Sequence, residues 1–230
     1  MNARAQKIKS RCYWQAVIRP RDFEAMKVAN RHVLSRVVRG ATVTYQGFDF
    51  PHFDASTQAE VGADWIGQSL DWGQHLELWR AYLSGQFYHL LANDTDWGSA
   101  RMLSPFGRLE RGEPFVGVGY ALFQFTVVFE FAARLALTEM GAEQMHVEML
   151  VGNLDKHRLV SDDPNRGHMQ SRPTAGVNEY LLARDVTRTE LAAEPRILAL
   201  STSEEFFHAA FDEELPRELL KGWQEQWLRR

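Results

Sequence analysis

Apolar positions crowd one stretch of this chain more densely than any other, Pro114 to Leu137, reading PFVGVGYALFQFTVVFEFAARLAL. From Tyr120 onward its polar residues are Gln124, Thr126, Glu130 and Arg134. The last three follow at four-residue spacing, so on a helix they make one narrow stripe with the acid ahead of the base. A helix apolar around the rest of its circumference is a central core helix or a membrane span. The charge-free run Pro114 to Phe129 is 16 residues, short of the roughly 20 that cross a bilayer. The pattern predicts a buried central helix over 119–137, with Glu130 and Arg134 paired along its polar edge.

Elsewhere the periodicities are shorter. Residues 13–18, ending at Pro20, read as a strand, and a helix capped by Asp22 follows, with Phe23, Met26, Ala29, Val33 and Val37 on one face and Gly40 at its end. Thr42 to Tyr45 reads as a short strand, and residues 51–73 as irregular chain pinned by Trp65 and Trp72. Residues 74–83 mix Leu76, Trp79, Ala81 and Leu83 with His75, Glu77 and Arg80, an amphipathic helix ended by Ser84-Gly85; residues 86–92 follow as a strand. Residues 98–113 and 162–173 read as polar connectors. Residues 145–151 alternate cleanly, as a half-buried strand does, with 157–160 as its hairpin partner. Glu179 to Val186 is a further strand, Thr187 to Glu190 and Ser201 to Glu204 fit the capping-box pattern, and Pro216 opens a last helix. The sum is an α+β fold: a mostly antiparallel sheet packed on a long buried central helix, with further helices at the C-terminus. It forms a single domain over residues 1–230, with 1–12 as a flexible basic arm and 213–230 as the C-terminal helix.

Charge changes this picture in one place. The net charge is −4, yet residues 1–40 hold ten bases against two acids, leaving the rest strongly acidic. Such asymmetry marks either a nucleic-acid surface or a basic end docked on an acidic body. For nucleic acid the candidate residues are Arg4, Lys7, Lys9, Arg11, Arg21, Lys27 and Arg31. The single cysteine, Cys12, excludes a disulfide framework and a multi-cysteine zinc site. The apolar run Tyr13 to Ile18 contains Gln15 and stops at Arg19, so it does not read as a secretory signal. A cytoplasmic protein with no membrane association is expected, in which the Asn93-Asp94-Thr95 sequon has no role.

No motif outweighs its structural alternative. Gly117-Val-Gly119 resembles the start of a phosphate loop, but Leu122 stands where a dinucleotide fingerprint needs Gly or Ala. No GxxxxGK[ST] occurs. His75-x-Glu77 and His146-x-Glu148 have chelating residue types, and a zinc deaminase would add a PCxxC that this chain lacks. No metal and no cofactor is expected. The most enzyme-like cluster is His89 with Asp94 and Asp96, a strand-end histidine beside an acidic loop; the competing reading is a hydrogen-bonded core histidine.

Two segments carry a family likeness: Glu77 to His89, with Ser84, Gly85, Gln86, Phe87 and His89 at a helix-to-strand junction, and Phe125 to Ala136, with Phe129, Glu130, Phe131 and Arg134. Together with the strand at His146 to Glu148, the turn at Arg158 to Pro164 and the segment Arg196 to Phe207, they resemble, in the same order, the C-terminal region of bacterial ATP-binding proteins that carry an N-terminal Schlafen/AlbA-type DNA-binding domain. The resemblance spans roughly residues 13–212, and the N-terminal domain of those proteins has no counterpart here. It implies a non-catalytic accessory or regulatory module whose partner is an ATP-binding or Schlafen/AlbA-domain protein. The alternatives are a nucleic-acid-binding module and a hydrolase around His89, Asp94 and Asp96.

Overall fold

The computed structural model describes residues 2–97, 113–162 and 173–228. In chain order the elements are α1 (Ala3–Ile8), β1 (Tyr13–Pro20), α2 (Arg31–Ala41), β2 (Val43–Tyr45), β3 (Phe48–Phe50), β4 (Glu60–Val61), β5 (Trp65–Asp71), β6 (Leu76–Tyr82), β7 (Phe87–Ala92) and the single turn α3 (Asp94–Trp97). Then come β8 (Phe115–Gly117), α4 (Val118–Ala136), β9 (Gln144–Gly152), β10 (Arg158–Val160), β11 (Glu179–Thr187), α5 (Arg188–Ala193), α6 (Pro195–Phe211) and α7 (Arg217–Trp227). Seven strands form one antiparallel sheet in the order β11-β9-β1-β7-β6-β5-β4. The expected α+β architecture with an antiparallel sheet, a buried central helix and C-terminal helices is the one observed.

Strand period places Trp14, Ala16 and Ile18 of β1, Phe87, His89 and Leu91 of β7, and Glu77, Trp79 and Ala81 of β6 on one sheet face. That face meets α4, in which only Tyr120, Phe123 and Arg134 are not fully buried. Phe87 and Phe131 touch across the layer, with ring centroids 4.6 Å apart. The opposite face is covered in part by α1, where Ile8 joins Tyr13, Leu76, Leu78 and Leu90 in a second cluster. By length and composition α4 would cross a bilayer, yet 83% of its apolar window is buried inside the protein.

Several expectations are corrected. Residues 76–82 are not a helix but the central strand β6: apolar residues line both its faces because both are covered, and the mixed pattern imitates helical amphipathicity. The Ser84-Gly85 junction is therefore a hairpin turn between two strands, with Gly85 at φ +84°. The helix expected from Asp22 starts only at Arg31, where the Asn30 side chain caps it by accepting from the Val33 amide at 3.0 Å; Phe23 and Met26 are exposed. Gly40 lies inside that helix, one residue short of its end. Residues 51–73 contain β4 and β5. Segment 158–160 pairs in parallel with β8 instead of forming a hairpin with β9. Residues 3–8 are a packed helix and not a loose arm. The capping box at Thr187 to Glu190 is present, whereas Ser201 to Glu204 lies inside α6. The connectors at 98–112 and 163–172, with the end of the Arg158–Pro164 turn, lie outside the described residues.

Glu130 and Arg134 do not pair with one another. Glu130 accepts from the Tyr45 hydroxyl and from Arg196 Nε at 2.6 Å, while Arg134 donates to the Thr42 carbonyl. Thr126 accepts from Gln224 Nε2 at 2.9 Å. The polar stripe of α4 thus docks α7 through Thr126, α6 and β2 through Glu130, and the α2–β2 joint through Arg134.

Two stability outcomes follow from these contacts. Phe129 is fully buried, so Phe129→Ala is expected to cost about 3–5 kcal/mol in a denaturant titration. A Cβ at Gly85 would stand 2.7 Å from the Met140 carbonyl on a left-handed backbone. Gly85→Ala should accordingly cost about 1–3 kcal/mol, and a neutral result would contradict the turn.

Candidate functional site

The core-facing side of β6 and β7 carries two groups foreign to a core, Glu77 and His89. They are diagonal neighbours, since Trp79 lies opposite His89 and Glu77 opposite Leu91. Glu77 is 1% exposed and its carboxylate is saturated with donors. Oε2 receives His52 Nδ1 and His75 Nε2, both at 2.8 Å; Oε1 receives His89 Nε2 at 2.9 Å and the backbone amide of His52 at 3.1 Å. His75 precedes β6 at the tip of the β5–β6 hairpin, closed by the Trp72 amide donating to the His75 carbonyl. His52 follows β3 and a cis Phe50–Pro51 peptide; its carbonyl accepts from Trp79 Nε1 at 2.8 Å, which fixes this loop to the sheet.

These groups form the floor of a cavity of about 260 Å³. Its walls are mainly apolar, with Phe48, Phe50, Leu91, Phe123 and Val127, and Asp94 from α3 reaches the same space. Phe48 and Trp72, both more than half exposed, stand edge-on to His52 at the mouth, and Trp72 stacks on His75 with centroids 5.4 Å apart. Tyr45 in the wall is tied through Glu130 to Arg196, so the helical layer braces the pocket. His52 Nδ1, His75 Nε2 and a Glu77 oxygen lie within 4.8 Å of one another, close enough to share an ion.

Electrostatics divide the two carboxylates. Burial by itself would push Glu77 up, but the hydrogen bonds from His52, His75 and His89 outweigh it and hold the acid well below its ordinary range. His75 moves up: burial opposes its charge, and the bond to Glu77 with the charges of Glu77 and Asp94 more than offsets that. Asp94 is pushed up to about 6 by burial, with Glu77 adding to the rise and His75 and His52 pulling against it. One Asp94 oxygen, Oδ1, is buried with no hydrogen-bond partner among the described residues.

Of the expected catalytic residues, His89 and Asp94 do meet at this cavity, and Asp96 does not. Asp96 binds the Cys12 amide at 3.0 Å and His157 Nε2 at 2.9 Å, a structural node joining β1 to the start of β10. Asn93 is fully buried and donates to the Phe115 carbonyl, which leaves its sequon without an accessible amide. The Cys12 thiol is buried and pushed well up by desolvation and by Asp96, the opposite of an activated nucleophile. The Gly117–Gly119 loop already holds an anion of its own: Asp162 accepts from the Gly119 and Tyr120 amides, both at 2.7 Å, and a Cβ at Gly117 would strike that carboxylate. His146 and Glu148 lie on the wet side of β9, where His146 pairs with Asp185 across to β11.

The basic residues of the amino-terminal segment are engaged internally. Arg4 and Lys7 both meet Asp71, Lys9 donates to Gln15, and Arg11 donates to the Asp96 carbonyl over the Trp97 ring. Arg21 faces Asp185, Lys27 faces Glu24, and Arg31 donates to the Gly62 carbonyl. Of the residues singled out for family likeness, Phe87, His89, Phe129 and Phe131 are core-facing; His89 alone of them lines the cavity. His52 carried no signal in the sequence, because it sits in an irregular loop and reaches Glu77 only through the fold.

Fold and site together define an α+β protein with a histidine–carboxylate floor beneath an apolar pocket. No protein-family model, no curated protein and no solved structure matches the chain.

The node outside the pocket has a pH signature. His157 is buried, and although burial lowers its proton affinity, Asp96 raises it further, so its folded value lies above the ordinary one. An unfolded histidine titrates near about 6.5. The proton on His157 therefore stabilises the fold fully below that value, and the contribution is lost as pH rises through the raised folded value. Denaturation midpoints measured from pH 6 to pH 9 should fall more steeply for the parent than for Asp96→Asn; equal slopes would contradict the pairing.

Proposed function

We propose that this chain is a hydrolase for a small, largely apolar substrate, acting in the cavity above Glu77. The observation that carries the reading is the concentration of His52, His75, His89 and Glu77 at the floor of an otherwise apolar pocket, with Asp94 beside them. Core burial of a carboxylate is costly unless it is fully hydrogen-bonded, and an ordinary core would use an apolar residue on this face of β6. Pockets that bind small molecules combine apolar walls with few convergent polar groups, and this one has that composition. The apolar body of the substrate would lie between Phe50, Phe123 and Val127, and its polar reacting group would reach the histidines. Asp94 is the proton acceptor of this reading, because it lines the cavity and one of its oxygens has no hydrogen-bond partner among the described residues. It would take the proton of a water whose oxygen bonds to the acyl or phosphoryl centre, and would return that proton to the leaving oxygen as its bond to that centre breaks.

A second reading, the non-catalytic accessory module that the family likeness implies, is favoured by Phe23 and Met26, which are 82% and 60% exposed on the segment before α2. Nucleic-acid binding has weaker support, because the amino-terminal bases have partners within the chain.

The test is hydrolysis of a panel of p-nitrophenyl esters and phosphates, with binding of an anilinonaphthalene dye as a measure of pocket occupancy. Asp94→Asn is expected to lower kcat/KM by about 10²–10⁴-fold with dye binding retained, and Val127→Trp to abolish both. Turnover unaffected by either substitution, or a parent protein that neither binds dye nor turns over any panel member, would overturn the hydrolase reading in favour of the accessory module.

A further inference from the structure

We propose that His52 Nδ1, His75 Nε2 and Glu77 Oε2 form a binding site for one divalent transition-metal ion, zinc by preference, at the floor of the cavity. The inference rests on the small-molecule reading of the same pocket and supplies it with an electrophile. Donor geometry, the charge of the lining and the orientation of the two rings support it.

The first is the donor geometry. Two segments remote in the chain, the loop after β3 and the β5–β6 turn with the start of β6, bring two imidazole nitrogens onto a single carboxylate oxygen at 2.8 Å each. The other oxygen of Glu77 is held by the His52 amide and by His89 Nε2. The carboxylate is thus anchored through one oxygen and presents the other, as a monodentate ligand with an outer-shell support does. Two histidines and one carboxylate with an open position form a recurrent set for catalytic zinc. Tetrahedral coordination, with bonds of about 2.0–2.2 Å, needs N···O separations of roughly 3.3–3.6 Å. The observed 2.8 Å must therefore widen by about half an ångström or somewhat more. His52 and His75 have room to do so, since their side chains are 19% and 23% exposed whereas that of Glu77 is 2% exposed.

The second argument is charge. The residues lining the cavity include three carboxylates, Asp49, Glu77 and Asp94, and neither lysine nor arginine. Its basic lining groups are the imidazoles of His52, His75 and His89, so a cation bound there meets three carboxylates and no fixed positive charge. The third is orientation: Trp72 stacks on the His75 ring and stands edge-on to His52, and Trp79 holds the His52 carbonyl. Both rings are thereby steered, and both line the cavity that Asp94 also lines.

The experiment uses the full chain stripped with a chelator, then titrated calorimetrically with zinc chloride and followed by absorption with cobalt(II). One equivalent is expected to bind in the parent, with an increase in thermal midpoint on saturation and a cobalt spectrum of four- or five-coordinate intensity. His52→Ala and His75→Ala should each weaken binding at least about 100-fold, and His89→Ala by about 10–100-fold through the support it gives Glu77. His146→Ala, at the exposed His146–Asp185 pair, should leave binding unchanged. No saturable zinc binding below about 100 µM, an aquo-like cobalt spectrum, or binding that survives His52→Ala and His75→Ala while falling with His146→Ala would overturn the site. The cobalt spectrum of the parent decides the matter even where an alanine variant fails to fold. Dye binding is measured in parallel: a protein that binds dye but no metal loses this inference alone, and one that binds metal but no dye loses the small-molecule reading.

Discussion

Glu77 is the residue whose burial the local structure must accommodate. A carboxylate on the core face of a central strand costs several kcal/mol unless every lone pair is met, and here four donors converge on it. Meeting that demand dictates the neighbourhood. The loop after β3 must fold over the sheet to bring both the ring and the amide of His52; the β5–β6 hairpin must end at His75; β7 must be in register to place His89 diagonally. A buried polar node of this kind is sensitive to any error in register, because a one-residue slip of β6 would turn Glu77 to the α1 side.

The helical layer depends on a related constraint. α4 is apolar almost all round, so its few polar side chains have no water to satisfy them and each must find a protein partner. Thr126, Glu130 and Arg134 each take one from a different element. What reads in one dimension as an intrahelical ion pair is in three dimensions a set of docking points. One of them, the bond between Glu130 and Tyr45, runs into the pocket wall. The C-terminal helices and the cavity are therefore mechanically connected through Glu130 and Arg196.

Much of the fold was legible where one face is buried and the other wet. β9 alternates, β1 and β7 stop at turn residues, and α4 announces itself by apolar density. Legibility failed where that asymmetry disappears. β6 has both faces covered, so Leu76 and Leu78 on one side and Trp79 and Ala81 on the other imitate a helix. That error also hid how one candidate pair is used. His75-x-Glu77 has chelating residue types, but on a helix positions two apart diverge; with Glu77 on the strand and His75 at its hairpin tip, both converge in one pocket. Asp96 was grouped with His89 because the two are near in sequence, but Asn93 and Asp94 begin a tight turn that directs Asp96 to His157. His52 was invisible, since contacts made by a loop across 25 residues leave no periodic trace.

The two carboxylates of the cavity differ in a way that bears on chemistry. Glu77 is saturated with donors, and any further role for it requires that one of these bonds be exchanged for another cation. Asp94, on the one-turn helix α3, lines the same cavity and has a buried oxygen with no partner among the described residues. A purely structural cluster would be expected to satisfy both acids, because an orphaned buried oxygen costs about 1–3 kcal/mol and contributes nothing to folding. The structure satisfies one and leaves the other, a residue of the cavity wall, with one buried oxygen that has no partner among the described residues. That asymmetry, in a cavity floored by three histidines, is the reason to look for function on the concave side of β6 before the basic amino-terminal segment, whose bases have partners within the chain.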